Sequence, residues 1–222
     1  MTRDSESPPS QRAAAPADQG LAARALAVLH AEGPRVFWIK LLSGLGVYRR
    51  LFLLERSLAD PIDETASAVR LDIDLLTRDD VDECLALRPD SVRSTIVELL
   101  EAGSLCFVAR HDGRAVGTCW VAPDRPYTAF LDWELPLSAG DAYLFDAYTL
   151  PTYRGQRIAP AICAHQLRYC RDAGFRRAMR ATSPENVSAL RAHAKSGFRQ
   201  VGVVGRVKLG PWRRYFAHGF DR

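Results

Sequence analysis

From Val69 onward, apolar and polar positions fall into regular runs. Val69 to Leu75 alternates with a period of two, as a half-buried strand does. Thr77-Arg-Asp-Asp80 offers short polar side chains as an N-terminal cap, predicting a helix through Leu87. A second helix is predicted from Ser91 to Ala102, stopped by Gly103. Leu105–Ala109 and Ala115–Val121 are apolar runs joined across Arg110-His-Asp-Gly-Arg114, the signature of a hairpin. A strand over 142–150, a helix over 158–173, a strand over 176–182, a helix over 186–196 and a closing strand over 199–209 follow. The order β-α-α-β-β-β-α-β-α-β describes an α/β domain (α+β in its mixed sheet) covering residues 67–222.

The chain before this domain reads differently. Residues 1–19 hold too few apolar side chains to order themselves, and no apolar core of a secretory signal is present there. Residues 20–33 are expected to form a short helix ending at Gly33-Pro34. The segment 35–56 is apolar but interrupted by Lys40, Arg49 and Arg50, so it is not a clean membrane span. Packing against the main domain is the simpler expectation, with contact at a membrane surface left open. Residues 20–66 together make an N-terminal helical and strand extension ending in a linker.

The junction of the 142–150 strand with the following helix carries the chemistry. The run passes Leu150-Pro151, turns through Tyr153-Arg-Gly-Gln-Arg157, and opens into a helix stopped by Gly174. N–H groups of a first helical turn have no helical acceptor, and the helix dipole makes that end positive. Such an end is an anion cradle suited to pyrophosphate, and Arg154 and Arg157 add cationic side chains to it.

These residues resemble the acyl-coenzyme A signature of the GNAT N-acyltransferase superfamily, written Q/R-x-x-G-x-G/A. Arg154 fills the first position and Ala159 the last, while Arg157 stands where glycine is expected. Asn186-x-x-Ala189-x-x-x-His193-x-Lys195-x-Gly197-Phe198 is similar to the closing helix of that superfamily, with His193 in place of tyrosine. The resemblance spans residues 67 to about 205. It implies a GNAT-like domain and acetyl-CoA, or another acyl-CoA, as co-substrate. It also implies that Tyr148, Thr149 and Leu150 meet the pantetheine and acyl carbonyl. Arg154, Gly155, Gln156, Arg157, Ile158, Ala159 and Asn186 would hold the rest of the coenzyme.

Charge agrees with that placement. The formal net charge of +4 hides an uneven spread: residues 61–142 carry 7 basic and 16 acidic side chains, and residues 143–222 carry 15 and 4. The basic part holds the cradle, and the acidic part is a candidate approach for a cationic acceptor. Five cysteines without metal-ligand spacing read as reduced thiols of a cytoplasmic protein, with no metal implied. Arg176, Arg177 and Arg180 form a basic run without an aromatic platform, which argues against nucleic acid.

Two side chains are candidates for catalysis. Asp146 is an isolated carboxylate in the apolar run Tyr143–Leu150, on one strand face with Tyr148. If desolvated, its pKa rises and it serves as base; binding the substrate ammonium or pairing with an arginine are the alternatives. His193 lies two helical turns from Asn186 on the same face. Protonated, it would give a proton to the departing thiolate; neutral, it would only hydrogen-bond the sulfur, leaving solvent as acid. The expected activity is N-acyl transfer, most simply acetyl, to a small-molecule or peptide primary amine by direct attack in a ternary complex. The acceptor is expected to enter across the acidic part, near Pro123–Trp133, Asp146 and the N-terminal extension. A non-catalytic acyl-CoA-binding or scaffold protein is the alternative, and self-association as a homodimer is left open.

Overall fold

The computed structural model describes residues 34, 38, 41–88, 90–124 and 126–219. The chain divides into two compact units, Met1–Val47 and Tyr48–Arg222. The tail expected over 1–19 and the helix expected over 20–33 lie outside the described residues. Within the first unit, residues 41–44 are helical, and Gly46 adopts a left-handed φ of 70° at the turn that follows.

The second unit is built on one eight-stranded sheet. Its strands are β1 (Tyr48–Ser57), β2 (Asp72–Leu75), β3 (Leu105–His111), β4 (Arg114–Ala122), β7 (Asp141–Thr149), β8 (Arg177–Thr182), β9 (Arg199–Leu209) and β10 (Trp212–His218). The spatial order is β10-β9-β1-β8-β7-β4-β3-β2. Only β7 and β8 pair in parallel; every other neighbour is antiparallel. A small hairpin of β5 (Tyr127–Thr128) and β6 (Trp133–Glu134) stands apart from it. The helices are α1 (Val81–Leu87), α2 (Arg93–Glu101), α3 (Ile158–Asp172) and α4 (Val187–Lys195).

One face of the sheet carries α3, whose Ile158, Ile162, Leu167 and Cys170 pack on Phe107, Val116, Val121 and Leu144. Gly117 permits that approach: a Cβ there would stand 3.0 Å from the Tyr148 carbonyl oxygen and 3.1 Å from the Ile162 side chain. The other face is covered by α1 and α2 through Val81, Cys84 and Ile96 on Cys106, Val108 and Trp120. Further along that face, Leu131 and Leu135 of the 123–140 stretch close over Leu53, Tyr143 and Met179. The expected element order is present from β2 to β9 apart from the inserted β5–β6 hairpin, and two further strands are added around it.

The first addition corrects the domain boundary. Tyr48–Ser57, read from sequence as part of the extension, is an interior strand between β8 and β9. Leu51, Leu53 and Leu54 are buried on its two faces, which removes this part of 35–56 from any membrane surface. Its charges have partners far along the chain. Glu55 accepts from Arg177 on β8 at 3.1 Å and from Arg199 on β9 at 2.5 Å, tying β1 to both neighbours. The second addition, β10, folds back on β9 through the two-residue turn Gly210-Pro211, with Gly210 at φ 58°.

Because β1 fills the gap between β8 and β9, a chain starting at Thr65 is expected to show no cooperative unfolding transition by circular dichroism. Leu53→Ala in the full chain is expected to lose about 2–5 kcal/mol in denaturant titration.

Candidate active site

The site follows from how β7 treats its two neighbours. Against β4, two residues of β7, Asp146 and Ala147, oppose the single residue Cys119, a bulge in which Asp146 takes a φ of 47°. Against β8, β7 is paired only over Asp141–Tyr143. Beyond Tyr143 and Met179 the two strands part, leaving Leu144–Thr149 and Arg180–Thr182 without ladder bonds to each other. That gap leads from one face of the sheet to the other.

On the α3 face, the turn after β7 is a short 3₁₀ segment, Pro151–Tyr153, followed by Gly155 at φ 81° and Arg157 at φ 62°. Arg157 therefore occupies a left-handed position, at a cost of about 1 kcal/mol for a residue with a Cβ. Its carbonyl still accepts the first helical bond from Ala161 at 3.1 Å. Among the described residues, the N–H groups of Gln156, Arg157, Ile158 and Ala159 have no acceptor. The turn is pinned from outside: Ser67 Oγ and the Ala68 N–H both donate to the Gln156 carbonyl at 3.0 Å.

A cavity of about 750 Å³ opens over this turn. Of the residues expected to hold the coenzyme, Thr149, Arg154, Gly155, Arg157, Ile158 and Ala159 line it. Thr149 Oγ1 is buried there with no partner among the described residues, a polar group that fits a bound ligand. Arg56, Arg191 and Lys195 add three cations that sequence reasoning did not assign to the site, against the single acid Asp63. Phosphates of a coenzyme fit such a wall.

Four expected contacts are not among the lining residues. Leu150 spends its N–H on the Val116 carbonyl at 2.9 Å and its own carbonyl on Tyr153. Tyr148 turns its ring under the Arg88 guanidinium, 5.4 Å from the centroid. Gln156 contributes its backbone to the turn. Asn186 caps α4, its Oδ1 accepting from the Ala189 N–H at 3.1 Å.

His193 belongs to a buried polar group rather than to the cavity wall. Arg180, 6% exposed, reaches its Nδ1 at 3.4 Å, lies 3.9 Å from Cys119 Sγ, and covers the Phe198 ring at 5.2 Å. Among the described residues no carboxylate balances this guanidinium. Burial, and then the Arg180 charge, push the His193 pKa down to about 4. Of the two states considered for His193, this environment favours the neutral imidazole. Arginine can only donate, so Nδ1 accepts and the proton sits on Nε2.

Asp146 stands in one of the arrangements considered for it, paired with an arginine. The bulge shifts the alternation of β7, so its carboxylate leaves the apolar surroundings and emerges on the α1–α2 face, 43% exposed. Arg88, just after α1, meets it at 2.6 Å. A cavity of about 300 Å³ lies here between Arg88, the start of α2, Trp120 and Asp146. The Pro123–Trp133 stretch, expected beside the acceptor, is absent from its lining. Asp132 of that stretch is instead held by Tyr127, Arg206 and Arg213. Other acids of residues 61–142 are likewise committed, Glu83 to Arg110 and Asp82 to Arg93, which leaves less free negative charge than the sequence suggests.

Comparisons with known proteins bear on the family and the fold. Residues 73–198 match the model of the acetyltransferase (GNAT) family. N-acetyltransferase 8B from Homo sapiens is 31% identical over 119 residues, 53% of this chain and 48% of that protein. The chain thus spans about half the length of this curated relative. A GCN5-related N-acetyltransferase from Sphaerobacter thermophilus superposes with a TM-score of 0.54 at 15% identity, over 84% of this chain and 58% of that one. The GCN5-related glucosamine N-acetyltransferase region of a fungal multi-domain GH3 β-N-acetylglucosaminidase gives 0.53 at 13% identity, over 90% of this chain and 23% of that one. At such identities the two structures speak for the fold alone. The family match runs from β2 through both cavity helices to the close of α4, and on it the chain belongs to the acetyltransferase (GNAT) family.

Proposed function

We propose that the protein transfers an acetyl group from acetyl-CoA to a primary amine by direct attack in a ternary complex. The observation that carries this is the cradle: four unpaired N–H groups at the start of α3, ringed by Arg56, Arg154, Arg157, Arg191 and Lys195, beside the gap between β7 and β8. The coenzyme supplies the acyl group as a thioester and leaves as a thiol.

The gap supplies the rest. Backbone groups of β7 beyond Tyr143 are free on the β8 side to hold the pantetheine and polarise the acyl carbonyl. Asp146 takes the first proton from the acceptor ammonium and passes it to solvent, since its carboxylate is exposed. The amine nitrogen then forms the C–N bond, the C–S bond breaks, and the nitrogen's second proton ends on the sulfur. His193, neutral with Nε2–H, steadies the developing thiolate by a hydrogen bond, and the buried Arg180 behind it favours the same negative charge. The alternative of a non-catalytic acyl-CoA scaffold shares the cradle but has no use for this pair. The five unpaired thiols support a reducing compartment such as the cytoplasm. No described helix is long and apolar enough to cross a membrane. Contact of 35–47 with a membrane surface and homodimer formation stay open proposals.

Titration calorimetry is expected to give micromolar acetyl-CoA binding, about −8 kcal/mol, lost in Arg154→Glu/Arg157→Glu. Binding that survives the double substitution would move the coenzyme elsewhere, and binding without turnover across an amine panel would favour the scaffold. The His193 ring resonances are expected to titrate near pH 4 rather than near 6.5. The folded state holds fewer protons than the unfolded one between these values, so this residue's effect on stability is full above about pH 6.5 and turns unfavourable as pH falls toward 4. His193→Phe is expected to lower kcat by about 10- to 100-fold while leaving the acetyl-CoA affinity near wild type, read by steady-state rates and calorimetry.

A further inference from the structure

The smaller cavity has a composition that the transfer reaction alone does not require. Its walls are of two kinds. Ile96, Leu99 and Trp120 are apolar, with Ile96 6% and Trp120 4% exposed. Arg88, Asp90 and Asp146 are charged, with the Arg88 and Asp146 side chains 38% and 43% exposed. Asp146 is on this face only because of the bulge and its left-handed backbone, a conformation that costs free energy for a residue with a Cβ.

The Arg88–Asp146 pair is a one-point contact, Nη1 to Oδ1 at 2.6 Å. Among the described residues, Asp146 Oδ2 and the remaining Arg88 nitrogens have no partner. Stacking over the Tyr148 ring holds the guanidinium plane in place. A ligand carrying only an ammonium answers the carboxylates Asp90 and Asp146 but leaves the unbonded nitrogens of Arg88 without an acceptor. A ligand with an ammonium and a carboxylate on one carbon meets both groups, and alternates charge around the four.

We propose that this cavity is the acceptor site and that it selects α-amino acids with an apolar side chain, Arg88 reading the carboxylate and Asp146 receiving the amine. The inference rests on the acetyl-transfer reading and narrows its acceptor. Ile96, Leu99 and Trp120 receive the side chain, and a volume of about 300 Å³ admits one of leucine or phenylalanine size. Polyamines answer the two carboxylates, but they carry no acceptor for the unbonded nitrogens of Arg88.

The test compares L-leucine, L-leucinamide and 3-methylbutylamine as acceptors, following release of the coenzyme thiol by the full-length protein. Expected is a kcat/KM for leucine above both analogues by about tenfold or more. The amide's more acidic ammonium works against that order, so the comparison is conservative. Arg88→Gln is expected to bring leucine down to the level of leucinamide, and Arg88→Lys to keep part of the preference. Equal use of leucinamide, a preference untouched by Arg88→Gln, or no transfer to any of the three would overturn the inference. Acetyl-CoA titration of the same preparations separates the two levels. Intact coenzyme affinity with any of those results sinks the amino-acid reading alone, whereas no affinity in the wild type removes the transfer reading and this one with it.

Discussion

The parting of β7 from β8 is the constraint on which the site depends. Parallel strands normally continue their ladder to the end, since unpaired backbone groups inside a protein are costly. Here the ladder stops after Tyr143 and Met179, and a bulge at Asp146 turns β7 toward β4. The opening separates two working surfaces. On one side lie the helix N-terminus and its arginines, suited to phosphates; on the other lie Arg88 and Asp146 beside an apolar cavity. Chemistry between ligands held on opposite faces requires such a passage, and a fully zipped sheet would close it.

The same opening explains the buried guanidinium. Arg180 is the first β8 residue past the end of the ladder, and a cation there without a carboxylate is expensive unless negative charge arrives. Its neighbours are soft or neutral: a thiol that burial keeps protonated, an imidazole, and an aromatic face. The arrangement holds the imidazole neutral and orients its free N–H at the same time. It also shows why replacing tyrosine by histidine need not introduce a group that titrates near neutral pH.

Most of the fold could be read from the chain because its signals are local. The amphipathic period of α3, its stop at Gly174 and the turn before it need no distant partner to be recognised. The cradle was legible for the same reason. What escaped was decided over long range. Residues 48–57 read only as part of an apolar extension, because the partners that make them a strand, such as Arg177 and Arg199 at Glu55, lie far along the sequence. Simple alternation placed Asp146 in apolar surroundings, and one extra residue in the bulge moved it to another face. Arg176, Arg177 and Arg180 looked like one basic run, but they diverge: Arg176 binds the Ala139 carbonyl, Arg177 binds Asp141 and Glu55, and Arg180 turns inward. Nothing local marked Arg88 at all.

The position of β1 bears on how the chain comes to be folded as it is made. Tyr48 pairs with Val207, and Phe52 with Thr182, so a strand translated early must wait for partners translated near the end. During that interval Leu51, Leu53 and Leu54 have no sheet to enter, on a segment with two bare edges. Closure of the domain is therefore a late event governed by long-range pairing, which is slow. A nascent chain halted before β9 already holds the strands under α3, but it leaves one edge of β1 unpaired.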